Sequence, residues 1–158
     1  MFFMMIGLPG SGKSTYAKEL AKEYNAVIFS SDAYREKIFS DENCQRSPKL
    51  VFDTLYNDMF KALDNNINVI FDATNIKRAD RQRCLDRLSK YDTKRIACVM
   101  NTPTDVCIAR DSQRDRTVGM NVINNMFAKF EPVDISLENF DEIWDISNGK
   151  KYSQTHLI

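Results

Sequence analysis

A glycine-rich loop, two carboxylates and a set of arginines are the residues of this chain whose types and spacing can do chemistry. The loop runs Gly7-Leu8-Pro9-Gly10-Ser11-Gly12-Lys13-Ser14-Thr15 and fits G-x-x-x-x-G-K-[ST], the phosphate-binding P-loop pattern. Gly7, Gly10 and Gly12, with Pro9 and Ser11 between them, let the backbone curl around an anion with successive N–H groups pointing inward. A helix beginning near Lys13 adds the partial positive charge of its N-terminus. Lys13 then reaches the β- and γ-phosphates of a nucleoside triphosphate, and the Ser14 hydroxyl, next to Thr15, sits on Mg²⁺.

Asp32 follows a second short apolar run, which brings it to the crevice that holds the loop. Moving a γ-phosphoryl group onto an alcohol needs a carboxylate that accepts the hydroxyl proton and aims the oxygen. Asp32 fits that role, or it caps the helix that starts there. Arg35, one turn on, suits an anionic part of the acceptor, or is a surface residue. Asp72 ends a third apolar run; it supports Mg²⁺ through water, orients Arg35 or a nearby donor, or simply forms a turn. Arg110 and Arg114 stand i, i+4 on a helix, with Arg116 just beyond. Arginines in such a cluster can neutralise charge on a phosphoryl group in transfer, although Asp111 and Asp115 offer them local partners.

These residues need a scaffold that gathers strand ends. Apolar runs at Phe2–Ile6, Ala26–Phe29, Asn68–Phe71, Arg95–Met100 and Glu142–Ile146 read as strands, the first three ending at Gly7, Asp32 and Asp72. Between them the period lengthens. Ala17, Leu20, Ala21 and Tyr24 share one helical face. A helix follows with Ser31 or Asp32 as its N-cap, and another starts at Ser47-Pro48 with Val51, Phe52, Leu55, Met59, Ala62 and Leu63 inward. Asn75 is read as the cap of the next, which buries Ile76, Ala79, Cys84, Leu88 and Tyr91. Thr102-Pro103 opens a further helix with Pro at its first position, and Val122, Ile123, Met126, Phe127 and Phe130 mark the last, with their apolar surface expected to serve core packing. Strands alternating with helices predict an α/β fold of the P-loop NTPase kind: a five-stranded parallel sheet, helices on both faces and an arginine-bearing lid over about 110–131. Ligands of such sheets bind at the carboxyl ends of the strands. The expectation is a single domain over residues 1–158 with a short C-terminal tail from about 148.

The 158 residues carry equal numbers of acidic and basic side chains, 22 each, so the chain as a whole is not a basic magnet for nucleic acid. The charge is uneven, however. Lys77, Arg78, Arg81, Arg83, Arg87, Lys90, Lys94 and Arg95 outweigh Asp80, Asp86 and Asp92, and an acidic stretch runs from Glu131 to Asp145. Two solvated faces account for this, and so does a basic face that steers an anionic polymer. No apolar run is long enough for a membrane span or a signal peptide, so a cytoplasmic protein without membrane contact is expected. Cys44, Cys84, Cys98 and Cys107 form no C-x-x-C pair and His156 is the only histidine, which argues against zinc and leaves acid–base work to carboxylates.

Taken together, four motifs resemble the 5′-kinase family of polynucleotide end-healing enzymes of phages and bacteria. They are G-L-P-G-S-G-K-S-T, then S-S-D-x-x-R over Ser30–Arg35, D-A-T-N over Asp72–Asn75, and R-D-x-x-R-x-R over Arg110–Arg116. The resemblance spans Met1 to about Ile146. It implies that Lys13, Ser14 and Thr15 bind ATP and Mg²⁺, that Asp32 activates an acceptor 5′-hydroxyl, and that Arg35 holds the phosphate 3′ to the acceptor nucleoside. Asp72, with Thr74 and Asn75 of the same motif, would support the acceptor side. Arg110 and Arg114 would belong to a lid over the donor phosphates, Arg114 nearest the transferring group.

Two departures stand out: Val118-Gly119-Met120-Asn121 replaces the Pro-Glu pair common after the lid arginines, and no D-x-D-G-T phosphatase motif is present. The resemblance therefore implies 5′ phosphorylation in nucleic-acid repair without 3′ end repair, with Lys13, Asp32 and Arg114 as the catalytic residues and a nucleic-acid 5′ end as partner. The same machinery suits another alcohol: a nucleoside, a sugar, a nucleotide sugar or a tRNA-linked group. A nucleotide-dependent switch is a further reading, against which Asp32 speaks.

Overall fold

A computed structural model of the chain describes residues 1–39, 47–148 and 150–153. Strands β1 (Phe2–Ile6), β2 (Ala26–Ser30), β3 (Asn68–Asp72), β4 (Arg95–Val99) and β5 (Glu142–Asp145) form the parallel part of one sheet, and β6 (Lys150–Ser153) completes it. The spatial order is β2-β3-β1-β4-β5-β6. Five parallel strands are as expected. The sixth lies in what read as tail and pairs antiparallel with β5, Trp144 opposite Lys151. Two lysines without an alternating apolar pattern hide it in the sequence, but the backbone groups along the open edge of β5 give it a partner.

The central strand explains the layers. All five residues of β1 are fully buried, and its side chains alternate across the sheet as strand geometry requires. Phe2, Met4 and Ile6 enter one core with Leu55, Tyr56 and Met59 of α3 (Pro48–Asp64) and Cys84, Leu85 and Leu88 of α4 (Arg78–Leu88). Phe3 and Met5 enter the opposite core with Ala17 and Leu20 of α1 (Lys13–Tyr24). Helix α2 (Ser31–Phe39) follows β2, and α5 (Thr104–Ser112) and α6 (Met120–Lys129) follow β4. A third cluster, Leu8, Ile76, Cys107 and Ile123, seats α5 and α6 against the loop after β1.

Several local expectations change. The cap of α2 is Ser30, whose Oγ accepts from Ala33 N at 3.3 Å, and not Ser31 or Asp32. Helix α4 starts at Arg78, three residues beyond Asn75, because Asn75 takes a left-handed φ of 48° that no helix can continue. Its phase then turns Ala79 outward and Arg81 inward. Pro103 flanks α5 and is not its first residue. On α6, Ile123 is buried and Met126 and Phe130 pack beside it, whereas Val122 and Phe127 face solvent. Continued at about 100° per residue, the five side chains span an arc of roughly 140°, and only its middle meets the domain while Val122 and Phe127 stand at its edges.

Arg81 and Glu138 are both fully buried side chains. Arg81 Nε and Nη2 donate to the Glu138 carboxylate at 2.6 and 3.1 Å, while Nη1 donates to Asn75 O and Nη2 to Glu131 O, each at 2.9 Å. One guanidinium thus fastens the D-A-T-N turn to the chain that leaves α6. Neither the basic run nor the acidic run is simply a solvated face, since each sends a member into this bridge.

Candidate active site

The carboxyl ends of β1, β2 and β3 open into one cleft of about 1120 Å³. Its lining includes Pro9, Gly10, Gly12, Lys13, Ser14 and Thr15 from the loop, Asp32 and Arg35 from α2, Asp72, Thr74 and Asn75 from the turn after β3, and Arg110 and Arg114 from the α5 end. Gly7 and Ser11 lie beneath the cradle and not on the cleft wall. A Cβ at Gly7 would meet the Ser11 hydroxyl at 2.8 Å and Met100 Cβ and O at 3.0 and 3.2 Å, so a larger residue there would have to displace its neighbours.

The loop is held from several sides. Gly7 N donates to Thr74 O at 3.0 Å, Ser11 N to Leu8 O at 3.1 Å, and Thr102 Oγ1 to Ser11 O at 2.7 Å. Thr102, read from sequence as part of a helix start, is therefore a support of the loop. Gly10 has φ 79°, and a Cβ there would run into the Cys107 carbonyl oxygen. Gly10→Ala is expected to cost at least about 1–2 kcal/mol from the left-handed backbone alone. The thermal midpoint should fall by about 2–8 °C or more, at about 2–4 °C per kcal/mol for a chain of this size.

At the start of α1 no side chain caps the helix and no acidic residue stands in its first turn. The N–H groups of that turn are free of intrahelical partners and face the cleft beside the exposed Ser14 and Thr15. Lys13 Nζ donates to Leu8 O at 2.9 Å, folded back along the loop. Burial lowers the Lys13 pKa, against the carboxylates of Asp72 and Asp32, which raise it. Burial raises that of Asp72, against Lys13 and the Ser14 hydrogen bond, which lower it. Desolvation outweighs the mutual attraction in both. A polyanion beside Lys13 opposes the first shift, and a cation beside Asp72 opposes the second.

Ser14 Oγ donates to Asp72 Oδ2 at 3.0 Å, so a hydroxyl and a carboxylate sit together at the cradle. Two protein oxygens at one place suit magnesium, which keeps most of its waters and takes one or two protein oxygens plus substrate phosphates. The residues present fit a nucleoside triphosphate with Mg²⁺.

On the other wall, Arg35 Nη1 donates to Asp32 Oδ1 at 2.8 Å, and its guanidinium carbon lies 5.9 Å from the centre of the Phe52 ring. Because Ser30 caps α2, the Asp32 carboxylate is left to Arg35 and the cleft. Thr74 lines the cleft, and Asn75 does too, but the Asn75 amide donates to Met5 O at 2.8 Å and acts as a pin between turn and sheet.

Of the lid residues, Arg114 Nη1 lies 3.5 Å from Asp111 Oδ1. Asp111 is buried and does more than neutralise: its carboxylate accepts from Val118 N at 3.2 Å and Gly119 N at 3.0 Å, which sets the turn into α6. Arg116 is not on the cleft wall; it reaches α2 and pairs with Glu36 at 2.6 Å. Thr102, Phe52 and Arg81 went unread as site-forming residues because each acts through a contact remote in sequence, and Asp111, expected only as an ion-pair partner of the arginines, also holds the turn into α6.

This cleft at the switch between adjacent parallel strands, under a P-loop, is that of the P-loop kinase fold. A family model described as an AAA domain matches residues 2–133, and the chain belongs to that family. Over 136 residues it is 26% identical to the L-seryl-tRNA(Sec) kinase of Methanococcus maripaludis, covering 83% of this chain and 52% of that protein. It superposes on a chain of the Pnkp1/Rnl/Hen1 RNA repair complex with a TM-score of 0.74 at 22% identity, covering 97% of this chain and 48% of that one. A sugar kinase from Janibacter gives a TM-score of 0.65 at 19% identity, covering 92% and 85%. The chain spans about half the length of the curated relative it matches. Among the described residues no helix is long and apolar enough to cross a membrane.

Proposed function

We propose that this protein transfers the γ-phosphate of ATP to the 5′-hydroxyl end of a polynucleotide, DNA or RNA. The observation that carries the reading is the Asp32–Arg35 pair on the cleft wall opposite Lys13, Ser14 and Asp72: a base and an anion clamp one helical turn apart, facing a triphosphate cradle. Asp32 is 55% exposed and Arg35 13%, so the carboxylate is open to an acceptor hydroxyl while the guanidinium beneath it is held.

In the proposed step the acceptor oxygen forms a bond to the γ-phosphorus, the bond from that phosphorus to the bridging oxygen of ADP breaks, and the hydroxyl proton passes to an Asp32 carboxylate oxygen. The α1 N-terminus and Lys13 hold the donor phosphates, and Arg114, with Arg110, offsets charge on the group in transfer. Ser14 and Asp72 would hold Mg²⁺, which would supply positive charge against the donor phosphates. Arg35 takes the phosphate 3′ to the acceptor nucleoside.

The likeness to a seryl-tRNA(Sec) kinase supports a second reading, a tRNA-linked alcohol as acceptor. Terminally labelled ATP with Mg²⁺ and a panel of 5′-hydroxyl DNA, 5′-hydroxyl RNA, a nucleoside 3′-phosphate, free nucleosides, sugars and aminoacylated tRNA separates them. Label on a 5′ end supports the proposal, label only on another alcohol sinks it, and slow hydrolysis with every acceptor identifies a switch. Arg35→Ala is expected to lower kcat/KM by about 10–100-fold on acceptors with a 3′ phosphate, the weight of a charge-assisted hydrogen bond. Free nucleosides should lose much less, and equal losses on both would remove Arg35 from the phosphate site.

A further inference from the structure

The cleft does not stop at Arg35. It continues between α3 and α4, where Phe52 and Tyr56 form the floor and Lys49, Lys77, Arg83 and Arg87 line the sides. Asp53 and Asp80 are the carboxylates among them, so this arm has an excess of positive charge. The contacts run without a break: Arg35 lies over Phe52, the Phe52 and Tyr56 rings are 6.1 Å apart, and the Arg87 guanidinium carbon stands 4.9 Å from the Tyr56 ring centre.

The acids do not neutralise this arm firmly. Arg87 Nη2 is 3.5 Å from Asp53, Arg83 Nη1 is 3.5 Å from Asp80, and Lys49 Nζ is 3.8 Å from Asp53. All are long pairs between solvent-exposed side chains, a kind that contributes little. A phosphate can take over such a guanidinium with two parallel hydrogen bonds, a geometry arginine supplies and lysine does not. Resting on Tyr56 fixes the Arg87 plane in advance, which limits the ordering cost on binding.

We infer that Arg87 and Arg83, backed by Tyr56, form a second phosphate subsite that takes the next phosphate of a polynucleotide acceptor beyond the one at Arg35. The inference rests on the polynucleotide reading above and deepens it: a small alcohol ends at Asp32 and Arg35, while a nucleic-acid strand continues along this arm. The run of basic residues on α4 then has a use as a track for the acceptor backbone, with Arg81 withdrawn from it into the core.

The test compares kcat/KM for a 5′-hydroxyl nucleoside 3′-phosphate with that for a 5′-hydroxyl dinucleotide bearing a 3′ phosphate, which adds one phosphate. The wild-type protein is expected to favour the dinucleotide. Arg87→Gln should reduce that preference about tenfold, the weight of one charge-assisted contact, and steepen no loss on raising salt, since a released phosphate contact flattens the salt dependence. Arg87→Lys should keep part of the preference. Arg83→Glu, at a side chain 64% exposed where a substitution has little effect on folding, should lower it too. A preference that survives both Arg87→Gln and Arg83→Glu, or losses equal on the two acceptors, overturns the subsite while leaving the kinase reading in place. Absence of label on both acceptors removes the polynucleotide reading and the subsite together.

Discussion

Asp32→Ala is expected to slow phosphoryl transfer by about 10²–10⁴-fold, the usual contribution of a general base, with ATP binding nearly intact. The proposed donor cradle is built from the loop after β1 and from α1, and among the described residues Asp32 makes no hydrogen bond to either; it accepts one from Arg35. Folding should be nearly unaffected, since the pair is half open to solvent and such pairs contribute about 0–1 kcal/mol. The helix keeps its cap because Ser30 provides it. A second variant separates proton acceptance from the positioning of Arg35. Asp32→Asn keeps the shape and an oxygen for the Arg35 hydrogen bond but cannot take a proton at neutral pH, so it should be as slow as Asp32→Ala. Single-turnover transfer, with nucleotide affinity measured separately, checks both. Near-normal turnover in Asp32→Asn would show that the carboxylate only holds Arg35.

The largest effect on stability is expected from Arg81→Met. Removing Arg81 leaves the buried Glu138 carboxylate with only the longer Arg78 pair at 3.7 Å and the Asp134 N–H at 2.8 Å, and breaking a buried pair in this way costs about 3–5 kcal/mol. Domains have about 5–15 kcal/mol in all, so the variant should melt some 6–20 °C lower, by the usual scaling for this chain length. The Asn75 and Glu131 carbonyl oxygens lose their donor at the same time. Replacing Glu138 by leucine in the same chain should restore part of the loss, because the uncompensated charge goes with it. The restoration should be incomplete, as the two carbonyls stay without their donor. Thermal unfolding of the two single variants and the double variant forms a cycle that measures the coupling. Additive losses would mean that the pair is not coupled in the core. Because Asn75 neighbours Thr74, whose carbonyl holds Gly7 N, Arg81→Met is also expected to weaken nucleotide binding.

The donor half of the site was legible because its parts are local. A P-loop announces itself by spacing within nine residues, Asp72 follows an apolar run directly and Asp32 of the opposite wall stands close behind another, so finding the strands finds the candidate cleft. The parallel sheet was legible for the same reason. What escaped depends on contacts distant in sequence. Arg81 sits in a run of basic residues that reads as surface, and only its meeting with Glu138 makes its burial tolerable. Asn75 read as a cap because asparagine commonly is one; its left-handed backbone and its bond to Met5 O belong to the sheet. Strand β6 has no hydrophobic period and exists through the edge it covers. The split on α6, with Phe127 exposed and Phe130 packed, turns on helix phase relative to Ile76, which no periodicity fixes by itself.

Gly7, Ser11 and Gly10 are each engaged by chain from elsewhere, by Thr74 O, Thr102 Oγ1 and the Cys107 backbone. The conformational freedom of the loop is therefore lost when the sheet assembles and not when a phosphate arrives. An anion meeting the cradle has little ordering entropy to overcome. The same ties make the loop as durable as the sheet around it, so warming should leave phosphate binding in place until the domain itself unfolds.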